Sequence, residues 1–301
     1  MKTATQTLEL SKRYPPALFA PMIAEAGFEG ADLSMTAFQE HLFPLSASDM
    51  QNYTKALSLA FNGAGIPLVQ SHAPYKWSSY SLEHHERVIL PATVQCIEIA
   101  CALEIPVCVV HPIHNLPFEG ENPALLFEQN LEFYGKLLHL TRHTGVIIAL
   151  ENMWKKNKLT GVIGEDVCAR PLEFARYIDA LNDRRICACL DIGHLGLCKK
   201  EPEDVVLTLG SRIKCLHLHD NDLCTDLHTL PFSGLIDLDG AARALAATGY
   251  AGNITLEADK YLEGARDGGE LTRRLSQLSE SAEKFRNRIK YYRSNASGER
   301  K

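Results

Sequence analysis

The stretch Cys189-Leu190-Asp191-Ile192-Gly193-His194-Leu195-Gly196 closes an apolar, β-type run that begins at Ile186. The run ends in a carboxylate, and a glycine-containing turn is expected to present an imidazole three residues later. Asp and His are hard-to-borderline donors that suit a divalent cation. A strand tip followed by such a turn would aim both into one mouth. Asp-x-x-His is common by chance, so its weight comes from the other β-type runs that also end in His or Glu.

Working outward, β-type and helical stretches alternate along the chain. Strands are expected at Gln6–Leu10, Gly30–Leu33, Pro67–His72, Val107–His111, Val146–Glu151, Ile186–Asp191, Ile213–His219 and Asn253–Glu257. Helices are expected at Pro16–Ala26, Ser48–Phe61, Leu82–Leu103, Ala124–Thr144, Pro171–Leu181 and Gly240–Thr248, several closed by a glycine. An amphipathic helix over Leu271–Ile289 ends the pattern. Strands alternating with helices predict a parallel α/β fold, and near-continuous apolar runs predict strands covered on both faces. A single-domain (β/α)8 TIM barrel over residues 1–293 is the economical reading, with an open doubly wound sheet as the alternative. Residues 294–301 read as a frayed polar tail.

The 301 residues suit one such barrel, which needs about 250. Hydrophobic content of 46% and charged content of 23% are ordinary globular values. A net charge of -6 gives no support to a nucleic-acid partner, although a local basic groove stays open. The N-terminus lacks the apolar core of a signal peptide, and no apolar run approaches the roughly 18 residues of a membrane span. The nine cysteines, odd in number and without Cys-x-x-Cys, read as reduced core thiols of a cytoplasmic protein.

The strand C-termini carry His72, His111, Glu151, Asp191, His217 and Glu257, and Asp226-Leu227-His228 lies in the loop after the seventh strand. In a barrel these ends share one rim, where active sites sit. One strand-end His is more often a hydrogen-bonded rim residue than a ligand; six such groups together point to a metal site. Two Glu, one Asp and one His make an oxygen-rich set suited to Mn²⁺, Mg²⁺ or Co²⁺, with Zn²⁺ also admitted. Strand alternation puts Cys215, His217 and His219 on one face, and Ile147, Ala149 and Glu151 on one face. Trp77 and Trp154 follow strand ends and would either offer a platform for a sugar face or pack under loops. Lys155, Lys156 and Lys158 could hold a phosphate, though a solvated charge run is the better reading. His84, His85, His139 and His143 are placed in helices away from the rim and given no role.

These features together resemble the xylose-isomerase-like barrel superfamily of sugar and sugar-phosphate isomerases and epimerases, inosose-processing enzymes and endonuclease IV. The resemblance rests on Ser71-His72-Ala73-Pro74-Tyr75, Val110-His111-Pro112, Leu150-Glu151-Asn152, Leu190-Asp191-Ile192-Gly193-His194, Leu216-His217-Leu218-His219-Asp220-Asn221, His228-Thr229-Leu230-Pro231-Phe232-Ser233-Gly234 with Ile236-Asp237, and Leu256-Glu257. It spans about Ala17 to Glu257. In the ketose epimerase branch it implies one metal on Glu151, Asp191, His217 and Glu257, with both glutamates doubling as acid and base and His194 on a substrate hydroxyl. Asn152, Asp220 and Asn221 would orient the ligands.

The endonuclease IV branch implies instead three zinc ions on His72, His111, Glu151, Asp191, His194, His217, Asp226, His228 and Glu257, with Tyr75 also matching. The run Lys76-Trp77-Ser78-Ser79-Tyr80 departs from that branch, and the Pro231–Asp237 loop resembles the sugar-isomerase-like members. The expected protein is therefore a divalent-metal-dependent sugar or sugar-phosphate isomerase or epimerase, without a nucleotide cofactor. The alternatives are a trinuclear zinc phosphodiesterase on abasic DNA, or a dehydratase or lyase of the same superfamily. A small sugar, cyclitol or sugar phosphate is the expected partner, and the resemblance implies a homo-oligomer.

Overall fold

The computed structural model describes residues 1–36, 43–77, 81–114, 122–157 and 159–298. Eight strands form one sheet: β1 (Thr3–Gln6), β2 (Gly30–Ser34), β3 (Leu68–His72), β4 (Val107–Val110), β5 (Ile147–Glu151), β6 (Ile186–Asp191), β7 (Ile213–His217) and β8 (Ile254–Leu256). Every neighbouring pair is parallel, and β8 lies beside β1. A bridge from Leu218 to Leu256 brings β7 against β8 and closes the ring. The protein is thus a single-domain TIM barrel, and the open sheet is set aside.

Alternation along the strands builds two separate apolar layers. Val107, Val109, Ala149, Cys187, Cys189 and Cys215 pack with one another inside the barrel, with Ile147 against them. Small and β-branched side chains are what that narrow space admits. The opposite strand faces join the helices in a larger outer core that includes Phe19, Phe61, Ile97, Tyr134, Phe174 and Phe285. Glu151 therefore shares its face with Ala149 and Ile147, and His217 with Cys215, so both point inward at the rim. All nine cysteines are free thiols, and six of them are buried.

Several local expectations shift. The first strand is Thr3–Gln6, and Leu8–Arg13 is helical. Glu9 pairs there with Lys12 and Arg13 at helical spacing, 2.9 and 2.8 Å away. The helix expected from Leu82 to Leu103 contains a π-type turn at His85–Ile89 before Leu90–Ala102. Pro91 has no amide to donate to the carbonyl one turn back, which accounts for the widened turn. The helix after β4 ends at Leu140 rather than Thr144, and β7 ends at His217, which leaves His219 beyond the ladder.

The elements that escaped the sequence reading include the helix Pro202–Leu209, the short helices Ile192–Leu197 and Asp259–Glu263, and an antiparallel hairpin of Trp154–Lys156 with Ile163–Glu165. The final helix runs from Gly268 to Gly298, so most of the expected polar tail is helical. Among the described residues no helix is long and apolar enough to cross a membrane.

Candidate metal centre and active site

Glu151, Asp191 and His217 end β5, β6 and β7, and Glu257 follows β8 by one residue. Their donor atoms all lie within 4.8 Å of one another. Three of the four are fully buried, and Glu257 is 4% exposed. His217 Nδ1 stands between the two glutamates, 3.0 Å from Glu151 Oε1 and 2.8 Å from Glu257 Oε2. Three carboxylates this deep demand compensating positive charge. Burial opposes ionisation of Glu151, yet His217 and His111 outweigh it and hold its carboxyl well below the usual range. Glu257 is lowered by the same contest between burial and His217. Burial likewise pulls His217 down, but the neighbouring Cys189 and then Glu257, Glu151 and Asp32 push its pKa well up.

Two flanking sets adjoin this central one. His72 and His111 meet Glu151 Oε2 at 3.3 and 3.0 Å, and these three also have donor atoms within 4.8 Å of one another. Tyr75 stacks on His111, ring centroids 4.9 Å apart. On the other side stand His194, His219, Asp226 and His228, again within 4.8 Å. The sequence reading brought all of these residues to the rim except His219, which it carried only as a strand residue.

The hydrogen bonds of the imidazoles fit a ligand role. His72 Nδ1 donates to the Ala73 carbonyl (2.6 Å), His194 Nδ1 to the Asn152 carbonyl (2.8 Å) and His228 Nδ1 to the Glu257 carbonyl (2.9 Å). A carbonyl can only accept, so each Nδ1 carries the proton, and in the neutral ring Nε2 keeps its lone pair. Metal-ligating histidines are oriented in this way. Among the described residues, Asp191 Oδ2 and Asp226 Oδ1 are buried with no hydrogen-bond partner. Oxygen-rich and imidazole donors with unpaired buried atoms suit a divalent cation.

Asp191 is also the N-cap of the helix Ile192–Leu197, accepting from the His194 amide at 2.6 Å. The expected glycine turn is therefore the first turn of a helix, and capping fixes the carboxylate. Asn152 clamps the same residue from both sides: its Nδ2 donates to the Asp191 carbonyl (2.9 Å) and its Oδ1 accepts from the Asp191 amide (2.8 Å). Asp220 accepts from the Gly234 and Ile236 amides, and Asn221 donates to the Gly193 carbonyl. These bonds hold the Pro231–Asp237 loop against the rim.

Sequence reasoning missed three supports inside the barrel. Gln6 donates to Glu257 Oε1 (2.9 Å), Gln70 donates to Asp32 (2.9 Å), and Asp32 Oδ2 lies 3.4 Å from His217 Nε2. Each is a long polar or acidic side chain in a strand whose residues are all buried, and the sequence of these strands, which carry Thr, Ser and His as well, offers no clear signal for it.

A cavity of about 780 Å³ opens above the central set. Trp154, Lys76, Lys155, Lys156 and Lys260 line it along with Glu151, His194, His228 and Glu257. Trp154 meets His194 edge-on at 6.4 Å. Trp77 is not in this cavity; it packs on His84 beside a small recess that also takes in His85. His85 is thus closer to the rim than expected. Burial holds its pKa down at about 4. Lys260 is paired with Asp226 at 3.1 Å, and Lys158 lies outside the described residues.

A family model described as a xylose isomerase-like TIM barrel matches residues 21–284. Among curated proteins, the uncharacterized protein y4fM of Sinorhizobium fredii is 31% identical over 55% of this chain and 52% of its own length. The uncharacterized protein MJ1311 of Methanocaldococcus jannaschii is 27% identical over 62% of each. The matches thus span between half and two thirds of these relatives. Solved structures of the same shape include a D-tagatose 3-epimerase-like protein, at TM-score 0.73 and 20% identity over 96% of this chain and 100% of that one. The D-psicose 3-epimerase of Clostridium cellulolyticum H10 has a TM-score of 0.72 and 15% identity, covering 96% and 99%. The 3-keto-D-glucoside 4-epimerase of E. coli has a TM-score of 0.70 and 16% identity, covering 95% and 99%.

Proposed function

The chain belongs to the xylose isomerase-like TIM barrel family, and we propose that it is a divalent-metal-dependent isomerase or epimerase of a sugar, cyclitol or sugar phosphate. The observation that carries this is the central set, in which two buried glutamates flank one imidazole at 3.0 and 2.8 Å on the floor of a cavity large enough for a small polyol. The sugar epimerases that share the fold support the substrate class.

Glu151, Asp191, His217 and Glu257 would hold the cation, which when bound polarises a carbonyl and its adjacent hydroxyl and so acidifies the C–H between them. Glu151 and Glu257 move the proton. One carboxylate takes up the proton, and the other, carrying a proton of its own in the acid form, delivers that one to the opposite face or to the neighbouring carbon, so that turnover exchanges the protonation states of the pair. Before substrate binds, the surrounding imidazoles outweigh burial and hold both carboxyls below the usual range, which suits the one that acts as base. Trp154 offers an apolar face at the mouth, and Lys76, Lys155 and Lys156 suit a substrate phosphate.

The test is solvent exchange. In D₂O with Mn²⁺, Co²⁺, Mg²⁺ or Zn²⁺, one member of a panel of ketoses, inososes and their phosphates should take up deuterium beside its carbonyl. Glu151→Gln and Glu257→Gln should abolish the uptake while the circular dichroism stays unchanged. Uptake that survives either substitution would remove the acid/base assignment.

A second reading, a phosphodiesterase with three cations acting on abasic DNA, is favoured by one observation: both flanking sets adjoin the central one. Three zinc ions per chain, with cleavage of an abasic duplex that His72→Ala and Glu257→Gln both abolish, would put it first.

A further inference from the structure

We infer that Asp32, a buried carboxylate on β2 outside the candidate ligand sets, is the positioning residue of His217. It keeps the ring proton on Nε2 and so presents Nδ1 as the donor atom of the central set. The inference rests on the reading that the central set holds a cation, and it is independent of the sugar chemistry.

His217 is turned the opposite way from three other imidazoles of the rim. His72, His194 and His228 each use Nδ1 on a backbone carbonyl, which leaves Nε2 for the site. His217 instead faces the central set with Nδ1, 3.0 Å from Glu151 Oε1, 2.8 Å from Glu257 Oε2 and 4.0 Å from Asp191 Oδ2. Around its Nε2 stand Asp32 Oδ2 at 3.4 Å and Gln70 Nε2 at 3.0 Å. Side chains thus do for His217 what the backbone does for the other three. A ring nitrogen binds a cation only with its lone pair, and the hydrogen bond at the other nitrogen decides which one keeps it.

The two neighbours of Nε2 would decide this in opposite senses. Gln70 Nε2 can only donate; with His217 as its acceptor, the proton of the neutral ring would sit on Nδ1 and exclude a cation there. Ionised Asp32 can only accept, and it places the proton on Nε2. Three observations favour Asp32. First, Gln70 Nε2 already donates to Asp32 Oδ2 at 2.9 Å. Amide and imidazole therefore converge as two donors on one carboxylate oxygen, which explains the short distance between their nitrogens. Second, Asp32 and Gln70 are partners in the register of β2 and β3, and both are buried, so the sheet itself fixes the carboxylate. Third, among the described residues Asp32 Oδ1 has no hydrogen-bond partner, and the carboxylate pairs with no lysine or arginine. A buried charge without a cationic partner is costly. A cation on Nδ1 polarises Nε2–H toward Asp32 and offsets that cost through the ring. The carboxylate in turn makes the imidazole a more basic ligand.

The test uses Zn²⁺ as the probe on full-length protein labelled with ¹⁵N-histidine, read through the ¹H–¹⁵N couplings of the rings. The His217 pattern is identified by its absence in His217→Asn. The zinc-loaded wild type should show zinc on Nδ1 and a slowly exchanging, far-downfield proton on Nε2. In Asp32→Asn, which keeps the size but removes the charge, that proton should move upfield, and zinc affinity at the central set should fall about 10–100-fold. Asn152→Ala is the control for simple loosening: it weakens zinc binding through Asp191 but should leave the His217 proton in place. A proton unmoved in Asp32→Asn would overturn the inference. Should that variant not fold, a wild type with zinc on Nε2, or with no proton on Nε2, would overturn it equally. A wild type that binds no divalent cation removes the reading of the central set along with it, whereas zinc bound to the other tautomer removes this inference alone.

Discussion

The central and flanking sets of candidate ligands share a rim but are held in different ways. Glu151, Asp191 and His217 are the last residues of consecutive strands, and their positions follow from the parallel register of β5, β6 and β7. His194 sits on a helix of six residues, and Asp226 and His228 on a loop where His228 donates to the Glu257 carbonyl and Asp226 accepts from Lys260. The first set comes ready-made from the barrel; the second must be assembled. A site on strands inherits the precision of the sheet, whereas a site on loops requires its own bracing. The bracing here is dense: Asn152 on Asp191 and His194, Asn221 on Gly193, and His219 under both.

The most severe way to break the comparison is Glu151→Gln, since that carboxylate contacts His217 in the central set and His72 and His111 beside it. Loss of a general acid or base costs about 10²–10⁴-fold. Turnover, followed as deuterium uptake, should fall at least that far, and metal content should fall with it. Gly193→Ala aims at the assembled set. The added methyl collides with the His219 ring, and forced overpacking of this kind costs about 1–3 kcal/mol. A lowered melting temperature and loss of any cation from the flanking set are expected, with the central cation still bound. If Gly193→Ala were as stable as the wild type, the close packing of His219 on that backbone would be wrong.

Asn152→Ala should separate the two regions less sharply, because Asn152 serves both. It loses the two bonds to the Asp191 backbone, while its own carbonyl remains for His194. Removing an orienting partner of this kind costs about 10–100-fold in metal affinity. Cation binding at the central set should weaken by that factor and at the flanking set by less, read by competition with a chelator.

The same contrast explains what the sequence made legible. Glu151, Asp191 and Glu257 stand out because each terminates an apolar run, and in a parallel barrel the ends of such runs converge. That rule needs no side-chain detail. His219 failed it because the run Ile213–His219 looks like one strand, while the pairing with β6 ends at His217, a single bridge to β8 follows at Leu218, and the His219 ring packs against Gly193. The hairpin at Trp154–Lys156 has strands of three residues, too short for alternation to show. The π-type turn at His85 depends on how Pro91 meets the preceding helix, which no periodicity reports. Asp32 and Gln70 sit within β-type runs, where a polar residue is as readily taken for a solvent-facing position as for a buried partner. Their role appears only when the barrel closes over them.

Gln6 gives the finest test of the strand-held set. Its Nε2 donates to Glu257 Oε1 at 2.9 Å from the first strand, across a buried interval of 251 residues in sequence. Gln6→Ala removes that donor without touching a metal donor atom. A hydrogen bond to a charged group contributes about 1.5–3 kcal/mol, so the carboxylate should become more basic and less firmly placed. Turnover should fall about tenfold, the equivalent of about 1.4 kcal/mol, with metal content unchanged. The loss should lie in kcat rather than KM, because Gln6 is behind Glu257 and does not line the cavity. If metal content fell instead, Gln6 would be supporting Glu257 as a ligand more than as a proton carrier, and the division of labour between the two glutamates would have to be redrawn.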